Sequence, residues 1–260
     1  MILYAIFTLV VSTAFWLVRV DNLAFVLDAV FDGKEGLSRL VVRTLRMGPK
    51  GLEGHEVEEK LAALGARLSI DLGTAEVRLH ATVIRRNLEP LFALLASLVL
   101  RPAFRTRDIA HVVREMDADR AAALDSDRAL ASRHLRVTSY LSHPYARPML
   151  GTKESLRAIK RDDVRARHAR MLSRRAMVFG FAGDITDVEA RALLEAHFAE
   201  VPNGAVTRVA LPEPKLVKGL RIRLVDKPER TQTQIVMGTL GSHLGDPLTF
   251  PLLVANTAFG

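Results

Sequence analysis

One change of hydrophobic period constrains this chain more than anything else. Apolar residues keep helical spacing up to Leu64, and then the period drops to two. Leu68 and Ile70 lead into a turn at Gly73, and Val77, Leu79, Ala81 and Val83 return on alternate positions. Such a hairpin has one face to bury. Helical spacing then resumes, with a long apolar helix from Asn87 through Leu100, stopped by Pro102. The hairpin thus stands among helices.

The remaining segments fit that layering. Residues 15–20 read as a first strand, and Leu23–Phe31 as a buried second strand ended by Gly33. Helices are expected over about His55–Leu64, Thr106–Ala123 and Arg128–Leu141. The first packs through Val57, Leu61 and Leu64, and the second through Ile109, Val112, Val113 and Met116. His143-Pro144-Tyr145 makes a turn. Thr152 caps a short helix, and Asp162 and Asp163 open the next. That helix is expected to carry Arg165, Arg167, Arg170, Arg174 and Arg175 towards its end. Basic residues suit a helix C-terminus, and a solvated face is the expectation for them. Met177–Phe181 is a core strand, and Thr186 caps a helix to Phe198.

Residues 202–216 lose all periodicity and carry Pro202, Gly204, Pro212 and Pro214, which reads as a linker. Strands are expected at Arg221–Asp226 and Gln232–Met237, with a helix at Pro247–Phe259. That order repeats the one around Leu17–Met47. Residues 15–201 are therefore read as a first domain, and 217–260 as the start of a second, homologous and incomplete one. A piece that small does not bury a core unaided, so the chain is expected to be part of a two-domain protein or to depend on another subunit.

The segment with chemical content is Gly36–Gly48. Leu37, Leu40, Val41 and Leu45 form its core face, glycines bracket it, and Pro49 follows. The other face carries Arg39, Val42, Arg43 and Arg46. Positions 39 and 43 lie one turn apart and point the same way. Two ligands of one metal ion could stand there, with position 42 beside them. Arginine cannot serve: a guanidinium stays charged and has no lone pair to offer, whereas zinc takes imidazole, thiolate or carboxylate. Val42 cannot move a proton. Shifting the register does not help, because residues 32–49 contain no histidine.

Lys34-Glu35-Gly36-Leu37, this helix, and Gly48-Pro49-Lys50-Gly51 resemble the zinc-site segment of the pitrilysin/insulinase metallopeptidases. His143–Thr152, Ile159–Asp163 and Phe181–Asp184 extend the resemblance over residues 15–260. It implies two homologous α+β domains, each a curved antiparallel sheet with helices on one face, here with the second domain truncated. In active members the helix carries H-x-x-E-H. The histidines bind zinc and the glutamate is the general base. Arg39 and Arg43 stand at the histidine positions and Val42 at the glutamate position. A third ligand, a glutamate further on, is matched most nearly by Asp119. The resemblance implies no catalytic residue and no metal in this chain, with zinc in a homologous partner subunit. The expected function is therefore a non-catalytic subunit that helps that partner enclose a peptide substrate. An active zinc endopeptidase with other ligands, or a purely structural member, are the alternatives.

Composition adds bounds. No cysteine is present, so disulfides and thiolate chemistry are excluded. The net charge of +8 lacks the aromatic interleaving expected of a nucleic-acid surface, and no nucleic acid partner is inferred. Met1–Val18 is almost wholly apolar. It is about the minimum length of a membrane span, and residues 1–14 read equally as the remnant of an export signal, which points to the periplasm or a membrane contact through the N-terminus only. Other candidates carry less. His55-Glu56-Val57-Glu58 lacks a second histidine, and its acids suit a helix start. His80, His111, His134, His168 and His197 show no ligand spacing, and His143 has no acidic partner in view.

Overall fold

The computed structural model describes residues 17–26, 34–73, 76–204, 212–242 and 246–259. Strand β1 is Leu17–Val26. Helix α1 is Leu37–Leu45 and α2 is Gly54–Ala63. The hairpin β2 Arg67–Leu72 and β3 Glu76–Ile84 follows. Then come α3 Leu88–Leu100, α4 Thr106–Asp125 and α5 Asp127–Tyr140. Helices α6 Lys153–Arg157 and α7 Arg161–Met171 precede β4 Met177–Val178. Helix α8 is Asp187–Phe198 and α9 is Thr249–Phe259.

The fold is α+β. Its sheet is antiparallel throughout, in the order β2-β3-β1-β4. Val77, Leu79, Ala81 and Val83 are buried while Arg78 faces solvent, so one face meets the core. The helices cover that face, as the period-two pattern requires. Leu91, Phe92, Leu95 and Leu98 of α3 are at most 2% exposed, and Val112 and Met116 of α4 join them. Phe92 stacks on Phe181 at 5.7 Å and meets Phe198 edge-on at 6.3 Å.

Contacts divide the chain into two units. One comprises Met1–Asp119 and Pro148–Ala210, and the other Arg120–Arg147 and Leu211–Gly260. The segment 120–147, read from sequence as part of the first domain, thus groups with the C-terminal residues. Polar bonds hold the second unit. Lys227 donates to Asp127 at 2.8 Å, and Arg230 pairs with Asp125 at 2.6 Å. His143 Nε2 lies 2.9 Å from the Pro212 carbonyl. Helix α5 contributes no buried residue.

Four expectations need correction. The two N-terminal strands and the turn between them are one strand. It pairs with β3 on both sides of an irregularity between Val20 and Leu23. A bulge absorbs the two polar residues because β3 is long enough to pair along its whole length. The strand expected to reach Phe31 leaves the described residues after Val26. Met177–Phe181 pairs only through Met177 and Val178. Arg221–Asp226 and Gln232–Met237 form no strand: Ile222 and Leu224 are 82% and 87% exposed, and Met237 is 88% exposed. A strand needs a neighbour to take its hydrogen bonds, and among the described residues none is offered. Finally, Arg167 is not on a solvated face. It is 7% exposed and donates from Nε to Ser38 Oγ at 2.9 Å.

Two predictions follow from the core and from the cap of α8. Phe92→Ala should lower stability by about 3–5 kcal/mol in urea unfolding, while Val188→Ala, at 76% exposed, should stay within about 0.5 kcal/mol. Glu189 is held from the usual 4.5 down to about 2, first by the Thr186 backbone N–H, then by the Arg85 guanidinium and the Thr186 hydroxyl. A depressed carboxyl stabilises the fold above its unfolded pKa and loses that contribution as pH falls through the folded value. Glu189→Gln should therefore unfold at lower urea than wild type near neutral pH, and the gap should close between 4.5 and about 2.

Candidate functional site

Helix α1 is fixed at both ends by glycine. Gly36 has φ 84, and a Cβ there would sit 3.0 Å from the Leu150 carbonyl oxygen. Gly48 has φ 97, and its Cβ would meet the Leu52 carbonyl oxygen at 2.4 Å. Only glycine fits either position without strain. Between them Leu37, Leu40, Val41, Val42 and Leu45 are all at most 4% exposed. Lys34 bonds Asp163 at 2.6 Å and the Ala158 carbonyl at 3.0 Å, and Ser38 accepts from Arg167. The helix is thereby tied to α7, and its remaining face is set in orientation.

That face presents Arg39, Arg43 and Arg46. Arg46 pairs with Glu58 of α2 at 2.7 Å. Arg43 reaches across to α4 and bonds Asp119 Oδ2 at 2.6 Å, with side chains 32% and 50% exposed. Two positions that the sequence resemblance names as metal ligands, 76 residues apart, are therefore in direct contact. Arg39 lies beside them. Its Nε is buried and has no hydrogen-bond partner among the described residues. Burial pushes the Arg39 guanidinium below its usual value, Arg43 adds to this, and Asp119 and Asp71 oppose it. Val42 is 2% exposed and packs into the core. The site thus consists of two guanidinium groups, one carboxylate bonded to one of them, and a buried aliphatic side chain.

Several of the other candidates have structural employment, while His197 Nε2 is buried with no hydrogen-bond partner among the described residues. Glu56 closes the capping box at Glu53, and Glu58 is taken by Arg46. His111 meets Glu115 one turn on at 3.2 Å. His143 accepts from the Tyr145 N–H and packs with Tyr140 and Tyr145. His168 donates from Nε2 to the Val99 carbonyl, and burial lowers its pKa. Among the described residues no group of three or more His, Cys, Asp or Glu is gathered as a metal site. Sequence reasoning missed the Arg167–Ser38 bond, because the helical pattern of α7 gives no sign of what faces position 167.

A small antiparallel sheet with helices packed on one face is the fold that the comparisons with known proteins then place in a family. Residues 30–153 match the family described as insulinase (peptidase family M16), and residues 158–260 match the peptidase M16 inactive domain. The chain belongs to the M16 (pitrilysin/insulinase) family. It is 24% identical over 207 residues to a protein of Mycobacterium leprae named as an uncharacterized zinc protease, covering 79% of this chain and 46% of that one. It is 25% identical over 150 residues to the non-peptidase homolog YmxG of Helicobacter pylori, covering 58% and 35%. Among solved structures, the peptidase M16 inactive domain from Pseudomonas fluorescens superposes with a TM-score of 0.70 at 22% identity, over 77% of this chain and 48% of that one. The periplasmic protease PqqL of Escherichia coli gives 0.69 at 17% identity, over 77% and 23%. The chain spans less than half the length of these relatives.

The Arg43–Asp119 pair is worth about 0.2–1 kcal/mol at this exposure. Asp119→Asn should cost that much and leave two guanidinium groups facing each other, so added salt should recover part of the loss. Arg39→Met should be neutral or stabilising, because it removes a partly buried charge with an unpaired Nε. Urea midpoints of the two variants at low and high ionic strength check both statements.

Proposed function

We propose that this chain is a non-catalytic M16 subunit that pairs with a homologous, zinc-bearing subunit and helps to enclose and bind a peptide. The observation that carries the reading is the Arg43–Asp119 bond. At the ligand positions the chain supplies its own cation, and it supplies it to Asp119. Guanidinium offers no lone pair, and Val42 offers neither a base nor an acid. Were zinc to approach Asp119, it would have to displace Arg43 and sit beside two positive charges. Hydrolysis of a peptide through a zinc-bound water then falls to the partner, and the contribution of this chain is surface and enclosure.

The relatives' names divide between zinc protease and non-peptidase homolog, and the reading for this chain rests on the residues at positions 39, 42, 43 and 119. A periplasmic setting is part of the proposal, supported by the description of PqqL as a periplasmic protease. Among the described residues no helix is long and apolar enough to cross a membrane, and the apolar residues 1–16 lie outside them.

Metal analysis of the purified chain tests the central point. Wild type should hold no stoichiometric zinc and should not cleave a fluorogenic peptide. Cleavage should appear on mixing with an M16 homologue of the same genome that retains H-x-x-E-H, together with a heterodimer in native mass spectrometry. The variant carrying Arg39→His, Arg43→His and Asp119→Glu should acquire one zinc, since it restores two imidazoles and a carboxylate on the same two helices. Stoichiometric zinc in wild type, or cleavage by wild type alone, overturns the reading. A triple variant that stays folded and zinc-free overturns the assignment of these positions.

A further inference from the structure

A second feature of the first unit lies away from α1 and does not rest on the peptidase-partner reading. The segment after α3 folds back along the segment after α1. Lys50 donates its N–H to the Arg101 carbonyl at 2.9 Å, Ala103 donates to the Gly48 carbonyl at 3.2 Å, and Pro49 and Pro102 face each other in an antiparallel bridge. Two prolines and two backbone bonds make this strap stiff. Phe104 at its end has φ 44, a conformation a bulky residue adopts only under constraint. Arg161 supplies the constraint, donating from Nε to the Phe104 carbonyl at 2.6 Å and from Nη2 to the Ala103 carbonyl at 3.3 Å. Phe104 is 3% exposed and meets His168 edge-on at 5.1 Å.

The strap and α7 line an open pocket of about 350 Å³, at the low end of the range of small-ligand sites. Leu100, Pro102 and Phe104 form its apolar wall, with His168 beside them, and Lys50, Arg101 and Arg165 form its rim. Glu200 neutralises Arg101 through two hydrogen bonds, at 2.8 and 2.9 Å. Lys50 and Arg165 have no acidic partner within 4.0 Å among the described residues, so the rim carries uncompensated positive charge. A bare inorganic anion would leave the apolar wall unfilled. A neutral apolar molecule would leave the two cations unpaired. Both demands are met by an anion on an apolar body.

We propose that this pocket binds a small organic carboxylate whose body is aromatic or branched aliphatic, the carboxylate meeting Lys50 and Arg165 and the body resting on Phe104 and Pro102. Free acids and the carboxyl ends of peptides share that chemistry.

Calorimetric titration of the full chain with N-acetyl-phenylalanine tests it, with the imidazole signals of His168 followed by NMR. Saturable binding that shifts those signals is expected. N-acetyl-phenylalaninamide, without the charge, and acetate, without the body, should each bind at least about tenfold more weakly, since a charge-assisted hydrogen bond or a buried ring is worth that much. Lys50→Glu and Arg165→Glu change exposed side chains, and each should weaken binding by at least about tenfold while the far-UV circular dichroism stays that of wild type. A tetrapeptide ending in Phe that competes assigns the site to peptide ends, and one that does not assigns it to free acids. No saturable binding, equal affinity for the amide, or wild-type affinity in both charge-reversal variants overturns the proposal.

Discussion

Burial of α1 on three sides is the constraint from which the first unit is built. Leu40 and Val41 are fully buried, and even Ser38 and Thr44 are 1% exposed. Each large apolar side chain contributes roughly 1.5–3 kcal/mol by leaving water. The polar ones are satisfied internally, Thr44 by the Leu40 carbonyl and Ser38 by Arg167. A helix so enclosed has one free face and no freedom to rotate. Whatever residues occupy positions 39, 43 and 46 are therefore held in fixed directions by the core beneath them, and the core does not depend on their chemistry.

That independence lets arginine stand at positions 39 and 43 without disturbing the core. Arg43 meets Asp119 at 2.6 Å and cancels its charge. Arg39 has no such partner for its Nε, and burial and Arg43 both act against its charge. The pair stabilises little at its exposure. Its significance is positional, because it joins α1 to α4.

Much of the fold was legible because the hydrophobic period reports which face is buried. The α3 run, the β2–β3 hairpin and the Thr186 cap all fall within a residue or two of expectation. Position 119 was legible only by resemblance, since nothing local to α4 distinguishes Asp119 from Asp117. Two kinds of feature were hidden. One is a long-range polar contact from a helix whose own sequence is polar nearly all round, as with Arg167 and Ser38. The other is backbone held against its preference, as at Phe104, where the cause is Arg161, 57 residues away.

The failure of the C-terminal strands has a different origin. Residues 221–226 and 232–237 have the alternating side chains of β-structure, and the local signal was read correctly as far as it goes. Pairing is a property of two strands. Ile222, Leu224, Ile235 and Met237 remain between 71% and 88% exposed, and the bonds that hold this unit together are surface charges such as Lys227–Asp127. Helix α9 adds Phe250 and Val254 at 77% and 70% exposed. Scattered apolar residues on a surface need no explanation, whereas a run of alternating ones carries the periodicity of a strand. The first unit satisfies its own periodicities. The second has the periodicities of a sheet and helix, and among the described residues no neighbour satisfies the strand pattern.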